Sequence, residues 1–200
     1  MRTVDWDENS NALKLIDQRA LPHELCILRY DDYREVAEAI RSMVVRGAPA
    51  IGATAAYGLA LAARQSGAKS PEELRRDLDA AADLLRATRP TAVNLAWALE
   101  RTLSAVSNFD VSVDELRAKV LEEARKIADE DAMLNRRMAQ HGAALIEDGD
   151  VIIHHCNTGS LAAVEWGTAL GVIRMAHEQG KRIHVLVDET RPRLQGARLT

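Results

Sequence analysis

From Val151 onward the sequence abandons the helical period that precedes it. Val151-Ile-Ile-His-His155 is a β-branched run, Ser160 to Gln179 repeats at helical spacing with Gly180 as its stop, and Ile183-His-Val-Leu-Val187 is a second apolar run. Strands separated by a helical pattern indicate a βαβ unit, because parallel strands need a crossover between them. This constrains the fold more than any other feature. A parallel sheet buries its apolar surface only with several strands and helices on its faces, so two strands and one crossover do not make a domain. Thr190 to Thr200 then begins what reads as a further element. The expected fold class is an α+β N-terminal region, small antiparallel strands plus helices, followed by the start of an α/β parallel-sheet domain that is incomplete. The boundary is placed at the turn Glu147-Asp-Gly-Asp150, giving a domain over residues 1–147 and the βαβ unit over 148–200.

Upstream, residues 3–6, 12–16 and 24–28 alternate as short antiparallel strands. Helices take over at Asp32. Asp32 with Glu35 fits a capping box, with Val36, Ile40, Met43 and Val44 on the buried face. Ser70-Pro71-Glu-Glu73 opens a second helix whose Leu74, Leu78, Ala81 and Leu85 recur at helical spacing. Another covers Val93 to Ser104. A long one starts at Ser112-Val-Asp-Glu115, with Leu116, Val120, Ala124, Ile127, Leu134 and Met138 facing inward.

With 47% hydrophobic residues the 200-residue chain has ample material for a core and is not disordered. A net charge of −4 and 4% aromatic residues leave no basic footprint and no base-stacking platform, so nucleic acid is not an expected partner. The longest apolar run, Ala48 to Ala63, is broken by glycines and short for a bilayer, and no membrane partner is expected. Cys26 and Cys156 have no CxxC partner, and the adjacent His154 and His155 point to opposite strand faces. No metal and no cofactor is therefore expected; Gly159 alone is no dinucleotide fingerprint. Without a secretory leader in the sequence, the expected location is cytoplasmic.

Four segments carry possible chemistry. Cys156 lies at the carboxyl end of the first parallel strand, ahead of the expected helix at Ser160. A thiol there is either activated by backbone N–H groups and the helix dipole or simply a small buried hydrophobe; Cys26 is read as core. At Val45-Arg46-Gly47-Ala48-Pro49, Gly47 can end one helix and Pro49 can start the next. Exposed amides beside a guanidinium suit a phosphate, although a plain helix corner with a solvated Arg46 is the commoner meaning. Arg89-Pro90-Thr91 repeats that logic and that ambiguity. Asp188 to Gly196 follows the second strand, at the sheet edge where ligands of such folds bind, within reach of Cys156.

Taken in order, Arg46-Gly-Ala-Pro-Ala-Ile-Gly52, Arg89-Pro-Thr-Ala-Val-Asn-Leu95, His155-Cys-Asn-Thr-Gly159 and Asp188-Glu-Thr-Arg-Pro-Arg-Leu-Gln-Gly-Ala-Arg198 resemble the methylthioribose-1-phosphate isomerases, within the wider family of the alpha, beta and delta subunits of eukaryotic initiation factor 2B. The resemblance spans essentially the whole chain. It implies a Rossmann-like second domain, a homodimer in the full-length form, and conversion of 5-methylthio-ribose 1-phosphate to 5-methylthio-ribulose 1-phosphate in methionine salvage. It further implies that the sugar phosphate is held by Arg46, Gly47, Ala48, Arg89 and Gln195, with Cys156 as the catalytic thiol. The family's active-site aspartate and an Asn-Lys pair fall beyond Thr200, so the resemblance implies a truncated or split form with impaired turnover. Two alternatives stay open: an isomerase of another ribose 1-phosphate such as ribose 1,5-bisphosphate, and a non-catalytic regulatory or binding module.

Overall fold

A computed structural model describes residues 1–107 and 111–200. Three strands open the chain, β1 (Val4–Asp7), β2 (Ala12–Ile16) and β3 (Ile27–Tyr30), paired antiparallel in the order β1-β2-β3. Registers run Val4 opposite Leu15 and Leu15 opposite Leu28. The third strand starts at Ile27 and runs to Tyr30, shifted toward the C-terminus of the expected residues 24–28. Cys26 sits before it, half-buried, and so is not a core residue. Its thiol pKa is raised, first by a hydrogen bond with Glu24 and then by burial.

The helical layer follows: α1 (Tyr33–Arg41), α2 (Ala48–Gln65), α3 (Pro71–Arg86), α4 (Val93–Ser107) and α5 (Val113–Ala143). Their starts follow the local chemistry. Ser70 accepts a hydrogen bond from the Glu73 N–H at 3.2 Å, with Pro71 at the first helical position. Ser112 and Glu115 form a complete capping box. Asp32 caps α1 through the Arg34 N–H at 2.7 Å. Met43 lies past the end of α1 in a left-handed conformation, half-buried, rather than on its buried face.

The core centres on α2, which is buried without interruption from Ala50 to Ala63 and packs against α1, α3, α4 and α5. Its Ala and Gly content lets neighbours approach closely: a side chain at Gly52 would come within 3.0 Å of the Asn94 carbonyl of α4. Tyr57 stacks on Trp6 at 5.5 Å, joining α2 to the antiparallel sheet. In α5, Leu116, Val120, Ala124 and Ile127 face inward, but Leu134 and Met138 are exposed. The inward positions of that half are Ala132, Asn135, Ala139 and Ala143, because α6 (Ala169–Glu178) packs so near that a side chain at Gly142 would meet Val172 at 2.6 Å.

The last part pairs β4 (Val151–His154) in parallel with β5 (His184–Val187), joined through α6. The helix starts at Ala169 rather than Ser160. Tertiary hydrogen bonds take the backbone groups that a helix would need. Thr3 Oγ1 donates to the Ser160 carbonyl at 2.8 Å, Gln18 Nε2 to the Leu161 carbonyl at 2.7 Å, and the Val164 N–H to Asp131 at 2.7 Å. Only a 3-10 turn, Ser160–Ala162, forms there. A second 3-10 turn, Arg191–Arg193, and a four-residue helix, α7 (Gln195–Arg198), follow β5. No helix among the described residues is long and apolar enough to cross a membrane.

Candidate active site

The carboxyl ends of β4 and β5 are tied together just ahead of the thiol. The Asp188 N–H donates to the His154 carbonyl at 3.0 Å, and His155 Nδ1 lies 2.6 Å from Asp188 Oδ2. Cys156 follows at a positive φ of 69°, a conformation a non-glycine residue adopts only when its surroundings impose it. Because α6 begins later than expected, Cys156 stands at a strand end but not directly before an α-helix. The intervening loop is closed on itself. Gly159 bridges to Gly167, where a side chain would clash with the Gly159 backbone at 2.4 Å. Thr158 Oγ1 accepts from the Leu170 N–H at 3.0 Å and also meets His154 Nε2 at 2.6 Å. It thus satisfies a helix-start donor that Thr168, the flanking residue, leaves open.

Cys156 Sγ lies 3.9 Å from Gln195 Oε1, so the structure brings these two expected site residues together. Gly47 does not end α1, whose last residue is Arg41; it is the residue before α2, at φ 107°. A side chain there would meet Ala162 at 2.3 Å, so the Arg46-Gly47 loop is pressed against the 3-10 turn that follows Cys156. Ala48, exposed, is the first residue of α2, with no side-chain cap and no acid in that turn. Uncapped N–H groups without a resident carboxylate favour an anion.

Arg46 is half-buried, and its pKa is lowered, first by burial and then by the positive charges of Arg198 and Arg193, with Arg89 adding a smaller effect. Cys156 acts on it in the opposite sense. Arg46 therefore shares one electrostatic neighbourhood with three other guanidinium groups and the thiol. Like charges gathered this way repel one another, and an anion among them removes that repulsion. Arg193 and Arg198 were not singled out from sequence; the signal was the density of arginines in Arg191-Pro-Arg-Leu-Gln-Gly-Ala-Arg198. A separate cavity of about 380 Å³ opens between the starts of α2 and α4 and the middle of α5, lined by Pro49, Asn94, Trp97 and Leu134 among others. Its polar lining is Asn94, the Arg101–Glu130 ion pair and Asp131, and Arg46, Cys156 and Gln195 do not line it. No group of three or more His, Cys, Asp or Glu suited to a metal ion occurs among the described residues.

The model of the initiation factor 2 subunit family matches residues 44–200, from the Arg46 loop through α7. The chain belongs to the initiation factor 2 subunit family. Within it, the chain is 53% identical over 190 residues to a methylthioribose-1-phosphate isomerase of Synechococcus sp., covering 95% of this chain and 55% of that protein. The crystal structure of 5-methylthioribose 1-phosphate isomerase from Pyrococcus horikoshii OT3 superposes with a TM-score of 0.91 at 46% identity, over 99% of this chain and 55% of the other. A structure described as translation initiation factor eIF-2B, subunit delta, from A. fulgidus gives 0.88 at 50% identity, over 100% and 57%. This member of the initiation factor 2 subunit family thus spans little more than half the length of those relatives.

Proposed function

We propose that the chain supplies the phosphate-binding and thiol-bearing part of an aldose-ketose isomerase acting on 5-methylthio-ribose 1-phosphate. The observation that carries this reading is the contact of Gln195 with the Cys156 sulfur, beside the Arg46-Gly47 loop that presses on the 3-10 turn following the thiol. The names of the relatives supply the sugar. Arg46 and Arg89, with the amides of Gly47 and Ala48 at the start of α2, hold the phosphate; Arg can grip it through two parallel hydrogen bonds. Gln195 orients the sugar, and Cys156 faces the carbons that react.

Phosphate on the anomeric carbon keeps the ring closed, so the enzyme must assist ring opening before hydrogen moves from C2 to C1. The net change is an isomerisation: C1 is reduced, C2 is oxidised, and no external electron acceptor is needed. Residues 1–147 form the strand-plus-helical domain of this enzyme and 148–200 the opening of a Rossmann-like domain, in a cytoplasmic protein whose fuller form is a homodimer. Binding is assigned to this chain; full turnover belongs to the longer protein.

The test is protection of Cys156 from alkylation by the sugar phosphate, beside a direct assay of product. Protection in the parent chain, weakened about ten- to hundredfold in affinity by Arg46→Ala, is the expected result, since hydrogen bonds to charged groups are worth that much. Absence of protection at any attainable concentration overturns the reading. The A. fulgidus relative described as an initiation factor subunit favours a second reading, a non-catalytic binding module. Binding without any turnover, even when the chain is extended to the relatives' length, would select it.

A further inference from the structure

The segment that carries Gln195 has little of its own to hold it in place. The helix α7 has four residues and buries none of them. A helix so short is not stable in isolation. The stretch leading into it is left-handed at both ends of the 3-10 turn, at Thr190 (φ 48°) and Leu194 (φ 50°), conformations that persist only when neighbours impose them. The backbone folds back through the Gly196 N–H, which donates to the Glu189 carbonyl at 2.8 Å, but that bond is internal to the segment. Besides the contact of Gln195 with the Cys156 sulfur, Arg198 ties it to the rest of the molecule. Its Nε donates to the Leu21 carbonyl at 3.1 Å, and its Nη2 donates to the carbonyls of Gln18 at 3.2 Å and Arg19 at 2.8 Å.

The receiving turn is itself the junction of the site. Gln18 is 1% exposed, and its backbone N–H donates to the Val44 carbonyl at 2.9 Å. Its Nε2 donates to the Leu161 carbonyl at 2.7 Å and reaches the Arg46 carbonyl at 3.5 Å. One turn therefore touches the Arg46 loop, the 3-10 turn after Cys156 and, through Arg198, the helix bearing Gln195. We propose that Arg198 is a positioning residue, which locks α7 onto the Gln18–Leu21 turn and so sets the approach of Gln195 to Cys156. Three carbonyl acceptors suit the planar fork of a guanidinium; the ammonium of a lysine cannot reproduce that spread. With these donors engaged, Arg198 acts on the bound anion through Gln195 and through its charge.

This inference rests on the site described under the proposed function, and the experiment separates the two. In the 200-residue chain, the rate of Cys156 alkylation by iodoacetamide is measured by peptide mapping for the parent, Arg198→Ala and Arg198→Lys, without ligand and with inorganic phosphate or 5-methylthio-ribose 1-phosphate. Thermal melting is followed alongside. Both variants are expected to raise the ligand-free rate about three- to tenfold, the worth of one hydrogen bond. The melting temperature should stay within a few degrees of the parent, and lysine should fail to rescue. Parent-like alkylation in either folded variant overturns the proposal; if the alanine variant does not fold, the lysine variant decides. A shifted ligand-free rate in the variants, with no ligand protection in the parent, upholds the positioning role and removes the sugar-phosphate reading instead.

Discussion

Helix α2 and the β4–β5 sheet solve opposite problems with opposite residues. In α2, 14 of 18 residues are buried, mostly alanine, glycine and leucine, and four other helices surround it. In the sheet, only His154 of the eight strand residues is buried. Val151, Ile153, Leu186 and Val187 are 64%, 74%, 49% and 46% exposed despite being strongly apolar. The free energy of folding therefore resides in the helical part, onto which the crossover between the two strands docks by packing α6 against α5. The candidate site sits on the border between the two. Its geometry is fixed from the well-packed side, where Gly47 and Gln18 press on the loop after Cys156.

The strongest way to break this comparison is a cavity in each region. Leu59→Ala, at a fully buried α2 position, should cost about 2–5 kcal/mol in urea denaturation, the usual range for a leucine truncated in a core. If it costs less than a truncation in β5, the assignment of stability to α2 is wrong. Next in size is Gly47→Ala. The added methyl meets the Ala162 backbone at 2.3 Å, and the φ of 107° suits glycine alone, so a loss of about 1–3 kcal/mol is expected. That loss should appear with altered Cys156 reactivity, because the displaced backbone belongs to the loop following the thiol. A stability change without a reactivity change would separate the loop from the site.

Much of the helical part was legible because its signals are local. Ser70-Pro71 and Ser112…Glu115 cap their own helices, and no distant residue decides the outcome. The second half of α5 was not legible in the same way. Leu134 and Met138 are the hydrophobic choices by sequence, but close packing against α6 selects Ala132, Ala139 and Ala143 instead. The stretch from Ser160 to Thr168, expected as helix, differs for a related reason. Its helical spacing is real, but Thr3, Gln18 and Asp131, far away in sequence, hold its backbone groups. In the site, the motifs pointed to Cys156, Gln195, Arg46 and Arg89. Arg198 remained hidden because its partners are main-chain carbonyls, which no side-chain pattern announces.

A smaller effect probes the one buried residue of the sheet. Burial holds the His154 pKa below its ordinary 6.5; the Asp188 charge acts against this and His155 with it. Between the folded pKa and 6.5 the unfolded chain therefore binds more protons than the folded one, so stability rises with pH across that window and is lost as pH falls below 6.5. Melting temperatures recorded from pH 8 down to pH 5 should show this fall, and His154→Gln should flatten it. An unchanged slope in the variant would mean that other groups dominate and that His154 is better hydrated than its packing indicates.

The smallest effect on stability comes from the exposed strand face. Ile153 lies directly opposite Leu186 in the parallel pair, on the face opposite to that of His154. Because it is largely exposed, Ile153→Lys should change folding stability by no more than about 0.5 kcal/mol. Its effect on association should be larger. An apolar strand face with unpaired edges invites pairing between chains, and a lysine in its centre opposes both strand addition and face-to-face stacking. Sedimentation velocity of the parent should show concentration-dependent self-association that Ile153→Lys suppresses at equal folded stability. A parent that stays monomeric at high micromolar concentration would show that α6 and the neighbouring loops already protect the sheet, and the contrast with α2 would then concern burial alone.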